Sequence, residues 1–184
     1  MTGAGVLDCR EALEETGGDF EKAIAYLREK GHAEAAKKSE SAASEGRVEA
    51  YIHHGSQVGV MVELNCETDF VARTDDFETL AHNLALHIAF AAPDYLTRDE
   101  VPENVIEEEE RIYRKQALEQ GKPEDIVDRI VEGRMEKFYE QTCLLEQPFV
   151  KNEDKMIEDL LNEATTAFGE LILLRRFQRY EVGS

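Results

Sequence analysis

Residues 47–66, RVEAYIHHGSQVGVMVELNC, decide the fold class. Val48, Ala50 and Ile52 alternate with polar neighbours, Gly55-Ser56 supplies a turn, and Val58, Val60, Val62 and Leu64 alternate up to Asn65. Side chains along a strand point to opposite faces in turn. Two alternating runs joined by a short glycine turn therefore predict an antiparallel hairpin. Its apolar faces are expected to be half buried against helices.

Those helices follow at once. Phe77, Leu80, Ala81, Leu84, Ile88 and Ala91 share one face of a helix that stops near Pro93. A pair of helices comes next, at about Pro102–Gln120 and Pro123–Tyr139, joined by Gly121-Lys122-Pro123, with the glycine as stop and the proline at the first helical position. Val105, Ile106, Ile112 and Tyr113 on the first are answered by Val127, Val131, Met135 and Phe138 on the second, so an antiparallel helical hairpin over about 102–139 is expected. Cys143-Leu144-Leu145 reads as a short strand before Gln147-Pro148-Phe149-Val150, Ile157, Leu160, Leu161 and Ala164 mark a further helix, and Leu171 to Val182 is strand-like. Strands and helices alternate only partly, so the class is α+β: an antiparallel-sheet core with packed helices and a helical-hairpin insertion, over 47–184.

Towards the N-terminus the small, polar run SESAASEG, 39–46, reads as a linker. Before it, residues 1–38 form a helical unit. One short helix runs roughly from Leu7 to Glu15 and ends at Gly17-Gly18. A second, capped by Asp19, carries Phe20, Ala23, Ile24 and Leu27 on one stripe and is expected to stop at Gly31. Two short helices bury little, so this unit calls for a third.

Charge bounds the partners. Asp and Glu total 40 against 21 Lys and Arg, a net charge of −19. Such a surface repels phosphate backbones and anionic membranes and attracts basic protein patches; the same excess also serves solubility alone. No stretch approaches the ~20 apolar residues of a membrane span, and no signal peptide opens the chain. The 3 cysteines, Cys9, Cys66 and Cys143, have neither metal-ligand nor disulfide-framework spacing, which fits a reducing cytoplasm.

Motifs of covalent chemistry are missing. No phosphate-cradling loop with a lysine precedes a helix. His53 and His54 are expected on opposite faces of a strand, and His82 and His87 stand about 140° apart on a helix, so neither pair clamps a metal well. No enzyme activity, cofactor or metal is expected. Cys66 reads as a packed thiol. One segment stands out: Asn65-Cys66-Glu67-Thr68-Asp69-Phe70-Val71-Ala72 sets an aromatic beside a carboxylate at a strand-to-helix junction. Either Phe70 tucks under its own core while Thr68 or Asp69 caps the helix, or it is exposed for a partner to cover.

Thr68-Asp69-Phe70-Val71-Ala72, preceded by Glu63-Leu64-Asn65-Cys66, resembles the signature of the elongation factor Ts family. The opening Thr2-Gly3-Ala4-Gly5-Val6-Leu7-Asp8-Cys9 resembles it too, as do Ala35-Ala36-Lys37-Lys38, Gly121-Lys122-Pro123, Glu132-Gly133-Arg134-Met135 and Gln147-Pro148-Phe149-Val150, all in the family's order. The resemblance implies an N-terminal unit like a ubiquitin-associated domain, here expected to lack its first helix, and an α+β core bearing a coiled-coil insertion. It further implies a cytoplasmic guanine nucleotide exchange factor for elongation factor Tu, in a short form that acts as a homodimer and gives a two-plus-two complex. On this resemblance Thr68, Asp69, Phe70 and Val71 intrude near the Mg²⁺ site of elongation factor Tu, with Phe70 wedged between helices and Asp69 either disturbing the ion or holding a displaced helix. Val6, Leu7, Asn65 and His87 are further expected contacts, His87 equally readable as a core histidine. The alternative from another class is an adaptor or chaperone-like module that binds a GTPase without driving exchange.

Overall fold

The protein is described by a computed structural model over residues 6–38 and 43–183. Two compact units arise: residues up to Phe90 join the segment from Glu158 onward, and Ala91–Ile157 form the other.

In the first unit, α1 (Val6–Glu15) and α2 (Phe20–Lys38) lead. Asp19 caps α2 as its position predicts, accepting the Lys22 backbone N–H at 3.1 Å, and this bond holds its carboxyl below the ordinary range. Lys30 on α2 reaches Glu11 and Asp8 of α1 at 3.0 and 3.1 Å, which raises its own pKa. Gly31 is not the stop the sequence suggests, since α2 continues to Lys38. A lone interior glycine costs only about 1 kcal/mol against alanine, and the helix formers that follow it carry the helix on.

β1 (Glu45–Ile52), β2 (Val58–Cys66) and β5 (Leu173–Glu181) make an antiparallel sheet in the order β1-β2-β5. The expected hairpin is present, closed by His53 N–H donating to Val58 O at 2.8 Å. Glu45 and Gly46, read from sequence as linker, already belong to β1, and residues 39–42 of that stretch lie outside the described residues. His53 and His54 fall just past the end of β1, not on a strand. Gly46 is needed where it stands, because a side chain there would collide with the Leu64 carbonyl of β2.

The inner face of the sheet holds Val60, Val62, Leu64 and Leu174, all buried, as are Phe77, Leu80, Leu84 and Ile88 of α4 (Asp75–Ala91). Phe77 also meets Phe168 of α7 (Ile157–Phe168) edge to face, centroids 6.0 Å apart. β1 departs from expectation. Its polar residues Arg47, Glu49 and Tyr51 are half buried, whereas Val48 and Ile52 are 60% and 63% exposed. The cause lies on α4: Arg47 pairs with Glu78 at 2.9 Å and with Glu49 at 3.0 Å, and Tyr51 stands edge-on to His82. An edge strand under the polar rim of its covering helix turns its polar side inward.

The second unit is built on α5 (Glu103–Glu119) and α6 (Glu124–Thr142). Ala117, Val127, Val131 and Met135 form its buried seam, with Ile106, Tyr113, Ile130 and Phe138 packed against it, as the heptad spacings anticipate. Arg98 pairs with Glu136 of α6 and with Glu146, and its guanidinium lies 4.4 Å over the Tyr139 ring. Cys143-Leu144-Leu145 is not a strand: Cys143 makes one isolated bridge to Tyr95, and Leu144–Glu146 is a 3₁₀ turn. The turn pulls Leu144 fully inside, which an extended backbone ending in glutamate would not do. A small ribbon of β3 (Pro148–Phe149) and β4 (Asn152–Met156) follows. No described helix is long and apolar enough to cross a membrane.

Candidate functional site

The junction between β2 and α4 is where the sequence places its one unexplained feature. Opposite Glu63 and Leu64 the β5 partners skip from Arg176 to Leu174, a bulge that leaves Arg175 unpaired and re-aims the end of β2. Asn65 and Cys66 close the strand inside the unit. Glu67 and Thr68 form a turn, and Asp69–Ala72 wind into the four-residue helix α3.

Three bonds and a thiol shape that turn. The Glu170 carboxylate accepts the Glu67 N–H at 3.2 Å, the Thr68 N–H at 3.0 Å and the Thr68 hydroxyl at 2.6 Å. The Cys66 thiol donates to Thr68 O at 3.1 Å. Burial pushes this thiol above its ordinary pKa, helped by the nearby Glu170 charge, so it stays protonated and fit to donate. Cys66 is thus the packed thiol that its place after the strand suggests.

Neither Thr68 nor Asp69 caps the following helix. Thr68 makes no side-chain cap bond to α3, because its hydroxyl is committed to Glu170. Thr74 caps α4 instead, accepting the Phe77 N–H at 3.3 Å. Asp69 pairs with Arg73 at 2.9 Å. Phe70 does not tuck under its own core: it is 83% exposed. The burial half of the sequence reading fails because α3 is a single turn, and with Ala72 facing inward Phe70 must face outward.

The other expected contacts separate. Leu7 is 71% exposed on α1, and the Val6 side chain lies outside the described residues, as do Thr2–Gly5. Asn65 is buried and donates to Glu45 O at 3.2 Å, tying β1 to the root of the turn. His87 is 1% exposed on α4, which favours the core-histidine side of its two readings. Among the described residues no group of three or more His, Cys, Asp or Glu is arranged to hold a metal ion. Glu170 and Thr74 were not singled out by the sequence. For Thr74 the signal was present, a threonine before an acidic, apolar-periodic run. Glu170 lies more than a hundred residues from Thr68 along the chain, beyond any local pattern.

The α+β scaffold thus holds Phe70 out in water on a buttressed turn. A family model described as Elongation factor TS matches residues 9–184. The elongation factor Ts of Moorella thermoacetica is 57% identical over 99% of this chain and 90% of its own length. That of Desulfitobacterium hafniense is 59% identical over 99% of this chain and 84% of its own, and that of Syntrophus aciditrophicus 53% over 99% and 90%. The chain belongs to the elongation factor Ts family, the nucleotide exchange factors that serve elongation factor Tu in translation elongation.

Proposed function

We propose that this chain releases GDP from elongation factor Tu through the Thr68–Val71 turn. The observation that carries the reading is the exposure of Phe70 on a turn whose Glu67 and Thr68 donors are bonded to Glu170. Covering one such ring contributes about 1.5–3 kcal/mol, free energy available to offset a distortion of the nucleotide site. Asp69 brings a carboxylate to the same place, where it disturbs the Mg²⁺ surroundings or holds a displaced helix. No covalent step is involved. By linkage, a factor that binds the nucleotide-free GTPase more tightly than the GDP form must weaken GDP binding by the same free energy. Leu7, with Val6, forms a second contact from α1, part of a unit of ubiquitin-associated type, and the α5–α6 pair is the family's coiled-coil insertion. The factor acts in the cytoplasm, and its net charge of −19 argues against direct nucleic-acid binding.

We also propose a homodimer, giving a two-plus-two complex. Support comes from the outer sheet face, where Val48, Ile52, Met61 and Tyr180 are exposed side by side around the Glu63–Arg176 ion pair. A monomer leaves such a face to water at a cost that a second copy removes.

The deciding experiment is release of a fluorescent GDP analogue from elongation factor Tu with and without the chain. Acceleration at saturating chain is expected. Tight binding with unchanged release would instead establish a non-exchanging adaptor.

A further inference from the structure

The turn that carries Phe70 is held from the far end of the chain. α7 ends at Phe168, and the next residue, Gly169, has a φ of +70° that closes the last turn in the left-handed conformation glycine adopts freely. That turn delivers Glu170 to residues 67–68, where one carboxylate takes up two backbone N–H groups and a hydroxyl. The grip is reciprocal: the Glu67 carboxylate accepts the Leu171 N–H at 2.8 Å. Each acidic residue thus holds backbone of the other's segment, and Glu170 alone accepts both N–H groups and the hydroxyl of Glu67 and Thr68. The one buried side chain of α3 is the small Ala72, which gives little apolar anchorage. Phe70 is exposed and α3 is one turn long, too short to hold its own shape in water.

We propose that Glu170 is the positioning residue of the exchange turn. It touches neither nucleotide nor GTPase; it fixes the backbone of Glu67 and Thr68 so that Asp69 and Phe70 project in the geometry that docks. This rests on the exchange reading above. A flexible turn would have to be ordered on binding, which weakens docking without removing any contact. Charge-assisted bonds are the strong ones, so releasing all three acts on the turn first and on the sheet little.

Two readouts test this, one without the GTPase. In the free chain, Glu170→Ala is expected to speed amide hydrogen exchange at Thr68 and along α3 about tenfold or more, while the amides of β1, β2 and β5 keep their protection. Unchanged exchange at Thr68 overturns the proposal whatever the chain does to elongation factor Tu. With the GTPase, Glu170→Ala is expected to raise the half-saturating concentration for GDP release about tenfold, and to add little in a Phe70→Ala background, because both act through one ring. Effects that multiply independently overturn it. Thr68→Val, which removes only the hydroxyl donor, is expected to show a smaller loss of the same kind and stands in if Glu170→Ala does not fold. If the wild-type chain leaves GDP release unchanged, the exchange reading fails, and the amide readout still decides the positioning role.

Discussion

Asp69 and Arg73 close an ion pair at 2.9 Å across the one turn of α3, the same turn that carries the exposed Phe70. The carboxylate proposed to act at the partner is therefore paired in the free chain, with a cation that is itself largely in water. Exposed pairs of this kind contribute little, so the carboxylate can change partners cheaply. Arg73→Ala is expected to change unfolding free energy by less than about 0.5 kcal/mol. It should also slow GDP release far less than Asp69→Asn, which is expected to cost about tenfold. Stopped-flow release rates for the two variants, side by side, check this; equal losses would mean that the pair acts, not the carboxylate.

Phe70→Ala separates docking from folding. An 83% exposed ring contributes almost nothing to the chain's own stability, so the denaturant midpoint should hold. Losing about 1.5–3 kcal/mol of covered apolar area at the partner should slow stimulated release by about 10- to 150-fold. A variant that unfolds more easily but exchanges normally would return Phe70 to a structural role.

The sheet face gives a prediction for assembly. Met61 sits mid-row between Ala50 and Gln178 on the outer side. Met61→Lys is expected to leave folding intact and convert a dimer to a monomer in sedimentation equilibrium, because an unpaired ammonium cannot be buried at a packed interface. A wild-type chain that sediments as a monomer at tens of micromolar removes the dimer proposal.

Stability at alkaline pH reports the buried thiols. Burial raises Cys66 and Cys143 above the ordinary thiol value of 9.0. The unfolded chain therefore loses these protons first, and stability that is complete below 9.0 falls as pH climbs towards the folded-state values. Denaturant midpoints at about pH 8 and about pH 10 should show this decline, and a Cys66→Ala, Cys143→Ala double variant should show less of it.

The α5–α6 pair has its own core, so it should be destabilised on its own. Met135→Ala is expected to cost about 2–5 kcal/mol and to raise hydrogen exchange along α5 and α6 while the three-stranded sheet stays protected. Loss of protection in the sheet to the same degree would show that the two units unfold together.

Much of this was legible in the chain because it is local. Asp19 and Lys22, the alternation from Val58 to Leu64, the stripe from Phe77 to Ile88 and the apolar rows of Val127, Val131 and Met135 and of Ile106 and Tyr113 all follow from periods of two or of three to four residues. The strand-to-helix turn at Thr68–Val71 stood out as well, as an aromatic beside a carboxylate whose cover was left open. Periodicity also misled. In β1 it marked the apolar side correctly but not which way that side faces, since a strand carries no record of where its helix lies.

The sequence by itself therefore determined most of the elements, their order and the α+β class, because caps, turns and amphipathic periods act over a few residues. Only the tertiary structure decided that Phe70 stands in water, that His87 does not, that Val48 and Ile52 face outward, and that Glu170 holds Thr68. Each of these depends on pairing between segments far apart in the chain. The β2–β5 register brings residue 170 to residue 68, and no local rule fixes that register before the sheet has formed.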